Sequence, residues 1–192
     1  MQLPWGDDRT VTFITNVGLV TSDGPHGPNV MACEWTHQVS YEPGLVAVCL
    51  GKGKATLANI RATKEFGVSL AATDQNVLAS VAGGSSGRDV NKIAALKSLG
   101  FTFSKAKHIK ALLVDDAAVT IECKLFKEIE LGDHTMLVGE ILAARQTPGK
   151  EPLAYHKGAY WAMRDRIPKP SEDERTRIRH VVEKHRKLSG NR

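Results

Sequence analysis

The stretch Ala118-Val119-Thr120-Ile121-Glu122-Cys123-Lys124-Leu125-Phe126-Lys127-Glu128-Ile129, with its continuation His134-Thr135-Met136-Leu137-Val138-Gly139-Glu140-Ile141-Leu142-Ala143-Ala144, decides the fold. In the first half, Val119, Ile121, Cys123 and Leu125 alternate with polar or charged residues. That is the period of a strand with one buried face. In the second half, Met136, Val138 and Glu140 alternate with Leu137, Gly139 and Ile141. Gly132-Asp133 between the two is hairpin-turn chemistry.

Working outward, residues 11–20 read as a strand, and Asp23-Gly24-Pro25-His26-Gly27-Pro28 as a turn. Residues 29–36 form a further extended stretch. Residues 45–50 are a short apolar run that suits a buried strand, broken by Gly51 and Gly53. Leu57 and Ile60 share a helical face over residues 56–62, and Phe66, Val68 and Leu70 alternate as a strand. Asp74 is placed to cap a short helix through Val77, Leu78 and Val81. Gly83-Gly84-Ser85-Ser86-Gly87 reads as a loop, and residues 90–99 as a helix stopped by Gly100. Strands dominate and helices serve as connections, which favours an antiparallel barrel over a doubly wound sheet. Ser171-Glu172-Asp173-Glu174 is a capping box opening a helix through Lys187 that ends near Gly190. Its apolar stripe of Ile178, Val181, Val182 and Leu188 is thin. The chain thus divides into a body, 1–163, and a basic helical extension, 164–192.

Composition narrows the class. With 192 residues, 42% hydrophobic and 24% charged, the chain has the balance of a soluble globular protein. Cys33, Cys49 and Cys123 are odd in number and far apart, so they form neither a disulfide framework nor a zinc signature. Free thiols of this kind suit a reducing compartment. The first residues carry no basic start and no apolar segment of a secretory signal, and no apolar run approaches a membrane span. The expected location is the cytoplasm. The net charge of +5 lies wholly in residues 164–192, which hold ten Lys/Arg and five Asp/Glu, while the body holds sixteen of each. The body has no field that would recruit nucleic acid, and the tail has no aromatic for base stacking. No pair of histidines has metal-ligand spacing, so no metal is expected.

Gly51-Lys52-Gly53-Lys54-Ala55-Thr56 opens the helix at 56. Glycines let backbone approach a ligand, a helix start presents free N–H groups, and lysines add charge, which together make an anion site. The P-loop spacing is absent, and taken alone the segment reads as a turn with solvated lysines.

Four segments in this order resemble the flavin reductase-like family of FMN-binding split β-barrels. The first is Asn29-Val30-Met31-Ala32-Cys33-Glu34-Trp35-Thr36, with the following Val39-Ser40-Tyr41-Glu42-Pro43-Gly44-Leu45-Val46-Ala47-Val48. Ala32 stands where the family has Thr, and Gly44 where it has a second Pro. The second is the glycine–lysine segment above. The third is Gly84-Ser85-Ser86-Gly87-Arg88-Asp89-Val90-Asn91-Lys92. The fourth is Gly132-Asp133-His134 through Ile141, followed by Pro152-Leu153-Ala154-Tyr155-His156-Lys157-Gly158-Ala159-Tyr160. The match runs from about residue 10 to about residue 161, so the basic tail lies outside it.

The resemblance implies a mainly β fold: a six-stranded antiparallel Greek-key barrel with connecting helices, here with a C-terminal helix. It implies FMN, with FAD as the alternative, held by Asn29, Val30, Met31, Ala32, Cys33, Trp35 and Thr36 along the ring edge. Lys52, Lys54, Ala55, Thr56, Ser86, Gly87, Arg88 and Lys92 would hold the phosphate and ribityl chain. His134 would stand at the flavin mouth as the catalytic side chain. Cys33 by itself reads first as a buried, inert thiol and Trp35 as a core residue. The implied activity is an oxidoreductase. Electrons from NADH or NADPH would pass through bound FMN to free flavin, a ferric complex or a redox partner protein. The alternatives are an electron carrier without its own NAD(P)H activity and a non-enzymatic barrel module. A homodimer is implied, and no membrane partner.

Overall fold

A computed structural model describes residues 1–4 and 6–186. The elements are β1 (Thr15–Asn16), β2 (Gly18–Ser22), β3 (Asn29–Cys33), β4 (Thr36–Tyr41), β5 (Gly44–Gly51), α1 (Ala55–Thr63) and β6 (Glu65–Leu70). They continue as α2 (Asn76–Gly84), α3 (Lys92–Ser98), β7 (Phe103–Lys105), β8 (Leu112–Val114), β9 (Val119–Leu131), β10 (His134–Gln146), β11 (Ala154–His156), β12 (Ala159–Trp161) and α4 (Glu172–Lys184).

The main sheet is antiparallel throughout, in the order β3-β2-β6-β9-β10-β5-β4. Its two end strands, β3 and β4, are separated in the chain only by Glu34 and Trp35. One sharply bent strand therefore pairs with β2 at its start and with β5 at its end, which closes the sheet on itself. Counted as one strand, β3 and β4 give the six-stranded barrel. Only the β5-to-β6 connection, through α1, joins strands that are not neighbours, and this makes the Greek key. The corner is held by Thr36 Oγ1 donating to Cys33 O at 3.0 Å and by Cys49 N donating to Trp35 O at 3.0 Å.

The barrel interior is filled by Val20, Val48, Leu50, Phe66, Val68 and Leu137, with Leu57 and Ile60 of α1 plugging one end. A second apolar layer lies on the outer face of β2 and β3. There Leu19 and Val30 pack with Leu78 and Ala82 of α2 and with Ile93 and Leu96 of α3. Burying each such side chain contributes roughly 1.5–3 kcal/mol. The β9–β10 hairpin has the predicted two-residue turn. Gly132 takes φ 55 as its first central residue, the position that a type II′ turn reserves for glycine. Gly139 has a packing reason: a Cβ there would lie 2.6 Å from Phe66 Cζ and 2.8 Å from Cys123 Cβ.

Local signals were overruled at several points. Residues 11–14 form turns rather than strand, because no partner strand lies beside them; Phe13 and Ile14 are exposed. Asp74 does not cap α2. Gln75 occupies the N-cap but its side chain makes no capping bond to α2, its Oε1 accepting from Ala72 N and its Nε2 donating to Asp115 O, while Asp74 pairs with Lys150. Gly83 and Gly84 belong to the end of α2, and the loop starts at Ser85. Helix α3 begins at Lys92, where Asn91 Oδ1 accepts from Ala94 N at 3.0 Å. Within the described residues, no helix is long and apolar enough to cross a membrane.

Residues Met1–Ala162 form one compact unit and Met163–Arg192 a second. In the second, α4 carries the capping box: Glu174 N donates to Ser171 Oγ and Ser171 N to Glu174 Oε2. Ile178, Val181 and Val182 are exposed on it. The helix was expected to run through Lys187 but ends at Lys184 with His185 as its C-cap; Lys187, Leu188 of the stripe and Gly190 lie outside the described residues.

Candidate functional site

The start of α1 faces a cavity of about 440 Å³ lined by Asn29, Lys52, Lys54, Thr56, Gly87 and Lys92, among others. Lys54 is the N-cap, in extended conformation, and no side chain caps the helix. The N–H groups of Ala55, Thr56 and Leu57 therefore have no carbonyl of their own helix to bond. The first turn holds no acidic residue, so the positive end of the helix is uncompensated. Gly53 takes φ +85, which turns the chain so that Lys52 and Lys54 flank this end.

The strand edge meets the helix at Asn29. Its Nδ2 donates to Thr56 Oγ1 at 2.9 Å, and both residues are buried. Its Oδ1 is buried without a hydrogen-bond partner among the described residues. Gly87 makes room for it, since a Cβ at Gly87 would lie 2.4 Å from that oxygen. The 85–88 loop is tied to the glycine–lysine loop by Arg88 Nε, which donates to Gly53 O at 3.1 Å. Ser86 Oγ accepts from Arg88 N at 3.1 Å. Lys92, 2% exposed, donates from Nζ to Ala82 O at 2.8 Å and Ser85 O at 3.0 Å, capping the end of α2. Burial first, and the charge of Lys54 second, push its ammonium down to about 8. A cation held beneath a cavity in this way gains from any anion that enters it. A free helix start, lysines and an unpaired buried acceptor fit a phosphate ester that also carries hydroxyl groups.

The other end of β3 leads to two further cavities, of about 400 and 470 Å³. Ala32 lines all three. Strand β3 is paired on one side only, with β2, so alternate N–H and C=O groups of its backbone point away from the sheet. At the far end the rings of Trp35 and His134 lie 4.6 Å apart between centroids, inclined at 43°. His134 pairs in register with Gly51, and Lys52 N donates to Asp133 O at 3.3 Å, so the β9–β10 turn meets the glycine–lysine loop. His134 Nδ1 lies 2.8 Å from Asp133 Oδ1, and this hydrogen bond holds the Asp133 carboxyl below its usual range.

The predicted residues thus gather around the three cavities, with exceptions. Val30 points into the outer apolar layer and is fully buried. Thr36 is buried with its hydroxyl spent on the corner. Arg88 is exposed and reaches Gly53 instead of lining the cavity. Cys33 borders the cavities of about 400 and 470 Å³, but its Sγ lies 3.5 Å from Trp35 O and 3.4 Å from Cys49 O. Burial pushes this thiol up to about 11, so it is a core thiol. Sequence reasoning passed over Glu34, Ser80, Tyr155 and Tyr160, which line the cavity of about 400 Å³. Tyr160 Oη and Ser80 Oγ are 3.3 Å apart, and the two tyrosine rings 5.6 Å. The tyrosines were visible in the fourth segment; Ser80, on a helix face, carried no signal. Among the described residues no group of three or more His, Cys, Asp or Glu could hold a metal.

A family model, the flavin reductase like domain, matches residues 10–164. An uncharacterized protein of Archaeoglobus fulgidus is 34% identical over 62% of this chain and 66% of its own length. A protein named FMN reductase (NADH) RutF, from Stutzerimonas stutzeri, is 27% identical over 81% of this chain and 86% of its own. The solved flavoredoxin of Desulfovibrio vulgaris (Miyazaki F) superposes with a TM-score of 0.74 at 26% identity, covering 91% of this chain and 100% of that one. The family model spans most of the chain, and the chain belongs to the flavin reductase like domain family.

Proposed function

We propose that the protein is a flavin-dependent oxidoreductase that binds FMN and oxidises NADH or NADPH, delivering the electrons to free flavin or another small acceptor. The observation that carries this reading is the continuity of the groove. A cationic, uncapped helix start at Lys54–Thr56 joins, along the unpaired edge of β3, to the Trp35–His134 mouth. The relatives named as NADH-dependent FMN or FAD reductases support it.

In this reading the N–H groups of the first turn of α1, with Lys52, Lys54 and Lys92, hold the phosphate. Asn29 Oδ1 accepts from a ribityl hydroxyl. The outward backbone groups of residues 31–36 bond the pyrimidine edge and favour negative charge on the ring. The flavin, when bound, supplies the hydride and electron chemistry. His134, braced by Asp133 and Trp35, limits the room at the mouth and orients what enters. No side-chain acid or base is needed. The proposal includes a cytoplasmic homodimer with the site near the subunit interface.

The test is direct. Purified protein should bind FMN with the absorbance bands of a flavoprotein and oxidise NADH or NADPH in a flavin-dependent manner. FMN-loaded protein that oxidises neither nucleotide would refute the reductase. The likeness to flavoredoxin supports a second reading, an electron carrier reduced by a partner protein. Reduction by a partner reductase but not by NAD(P)H would select it.

A further inference from the structure

The groove along β3 is electrically polar. Its Asn29 end holds Lys52, Lys54 and Lys92. Its other end holds Glu34, which lines both ring-side cavities and forms no ion pair among the described residues. Five residue steps of extended chain separate Asn29 from Glu34, so the two ends are roughly 16 Å apart along the strand, more than a Debye length at physiological salt. They act on different parts of whatever lies in the groove.

Beside Glu34 the cavity of about 400 Å³ has the shape chemistry of an aromatic slot. Tyr155 and Tyr160, their rings inclined at 59°, line it together with the small residues Ala32, Ala79, Gly83 and Gly84 and with the Ser80–Tyr160 hydroxyl pair. The titratable and charged groups around the two ring-side cavities are Glu34, Asp133, His134, Tyr155, Tyr160, Lys54, Lys157 and the thiols Cys33 and Cys49. Lys54 lines the Asn29-end cavity as well as one of these two, Lys157 lines that same one, and Asp133 pairs with His134. Glu34 is the one carboxylate in the tyrosine-walled cavity. Its charge reaches the wall: the Tyr155 phenol is raised by burial first and by Glu34 second.

We infer that Glu34 is a specificity-determining residue: the tyrosine-walled cavity admits a flat aromatic ring that is neutral or cationic, and the Glu34 carboxylate turns anionic rings away. The inference deepens the oxidoreductase reading, because that ring belongs to the second substrate meeting the flavin. It needs no turnover to be tested. A carboxylate about 6 Å from a bound ring attracts a cation and repels an anion by the same Coulomb term, and even with water-like screening this shifts their relative affinity about tenfold.

The probes are three rings of one shape: 1-methylnicotinamide (cation), nicotinamide (neutral) and nicotinate (anion). Their binding to the full-length protein is measured by ligand-observed NMR, with and without FMN. The wild type should bind the cation and the neutral ring in preference to the anion. Glu34→Gln should weaken the cation and strengthen the anion, changing their ratio about tenfold, while the neutral ring changes little. Loss of all three rings equally in Glu34→Gln, an unchanged ratio, or no binding of any ring to the wild type would overturn the inference. Tyrosinate absorbance of flavin-free protein gives a second readout: Glu34→Gln should lower the Tyr155 transition, assigned with Tyr155→Phe. An unmoved transition would show that the carboxylate does not face the cavity. Failure of FMN binding or NAD(P)H oxidation in the wild type would instead refute the oxidoreductase reading, and the two failures are read in separate experiments.

Discussion

Asn29 Nδ2 donates to Thr56 Oγ1 at 2.9 Å, and through this one bond the open edge of β3 is fastened to the start of α1. Both residues are buried, and the bond sets where the helix start points relative to the strand edge. Thr56→Val keeps the volume and removes the acceptor, leaving the Asn29 amide unpaired. Stability should fall by about 1–3 kcal/mol, measured by denaturant unfolding, and FMN affinity should fall at least about tenfold. Wild-type affinity in this variant would refute the role of the pair in binding.

Gly87 offers a steric test of the same corner. A methyl group there would overlap the Asn29 carboxamide, whose Oδ1 would lie 2.4 Å from it. Gly87→Ala should displace Asn29 and lower FMN affinity, with a stability loss of about 1–3 kcal/mol. Gly84→Ala is the control: nothing lies within 4 Å of a Cβ there, and α2 already holds its backbone, so folding should be unaffected. Denaturant unfolding compares the two stabilities, and titration of flavin fluorescence reads the affinity of Gly87→Ala.

Lys92 should make FMN binding pH-dependent. Its ammonium sits at about 8 in the folded protein against an ordinary 10.5. The unfolded chain thus binds this proton more tightly, and the burial cost on stability is present below about pH 8 and relieved as pH rises towards 10.5. A phosphate in the cavity favours the ammonium and raises its value, so binding takes up a proton above pH 8. FMN affinity should therefore weaken as pH rises beyond 8, by at most about tenfold per unit. Lys92→Met should bind weakly and lose this slope. Isothermal titration in buffers of different ionisation enthalpy would read the proton uptake, and its absence in the wild type would refute the assignment.

Cys33 should not react. Its thiol is pushed up to about 11 and is 2% exposed, and Cys123 is pushed up to about 12 by burial and the charge of Glu122. Alkylation of the native protein at neutral pH should leave both unmodified, with reaction only in denaturant. Peptide mass mapping would detect a labelled Cys33, which would mean that the corner at Glu34–Trp35 opens.

Gly139→Ala tests the barrel apart from the site. The added methyl meets Phe66 and Cys123 inside the barrel, where neighbouring backbone leaves little room to yield. A loss of about 1–3 kcal/mol is expected in thermal unfolding, with FMN affinity of the folded fraction unchanged.

By itself the sequence determined the elements whose signals are local. The β9–β10 hairpin was legible because a period of two and a Gly132-Asp133 turn act within a few residues. The capping box at Ser171 and Glu174 was legible for the same reason. The helix start after Gly51-Lys52-Gly53-Lys54 was legible locally too, but taken alone its lysines read as solvated, and only the family resemblance made it a phosphate site. What depended on distant partners was decided only by the tertiary structure. Residues 11–14 look like a strand but have nothing to pair with. Asp74 looks like a cap until Lys150 arrives from 76 positions away. Val30 and Thr36 belong to the motif but are turned into the core and the corner by the pleat and the bend of β3. The bend at Glu34–Trp35, which closes the barrel and leaves an unpaired edge, is set by which strands lie on either side. Pairing partners are a property of the assembled sheet, and so is the juxtaposition of Glu34 with Tyr155 and Tyr160.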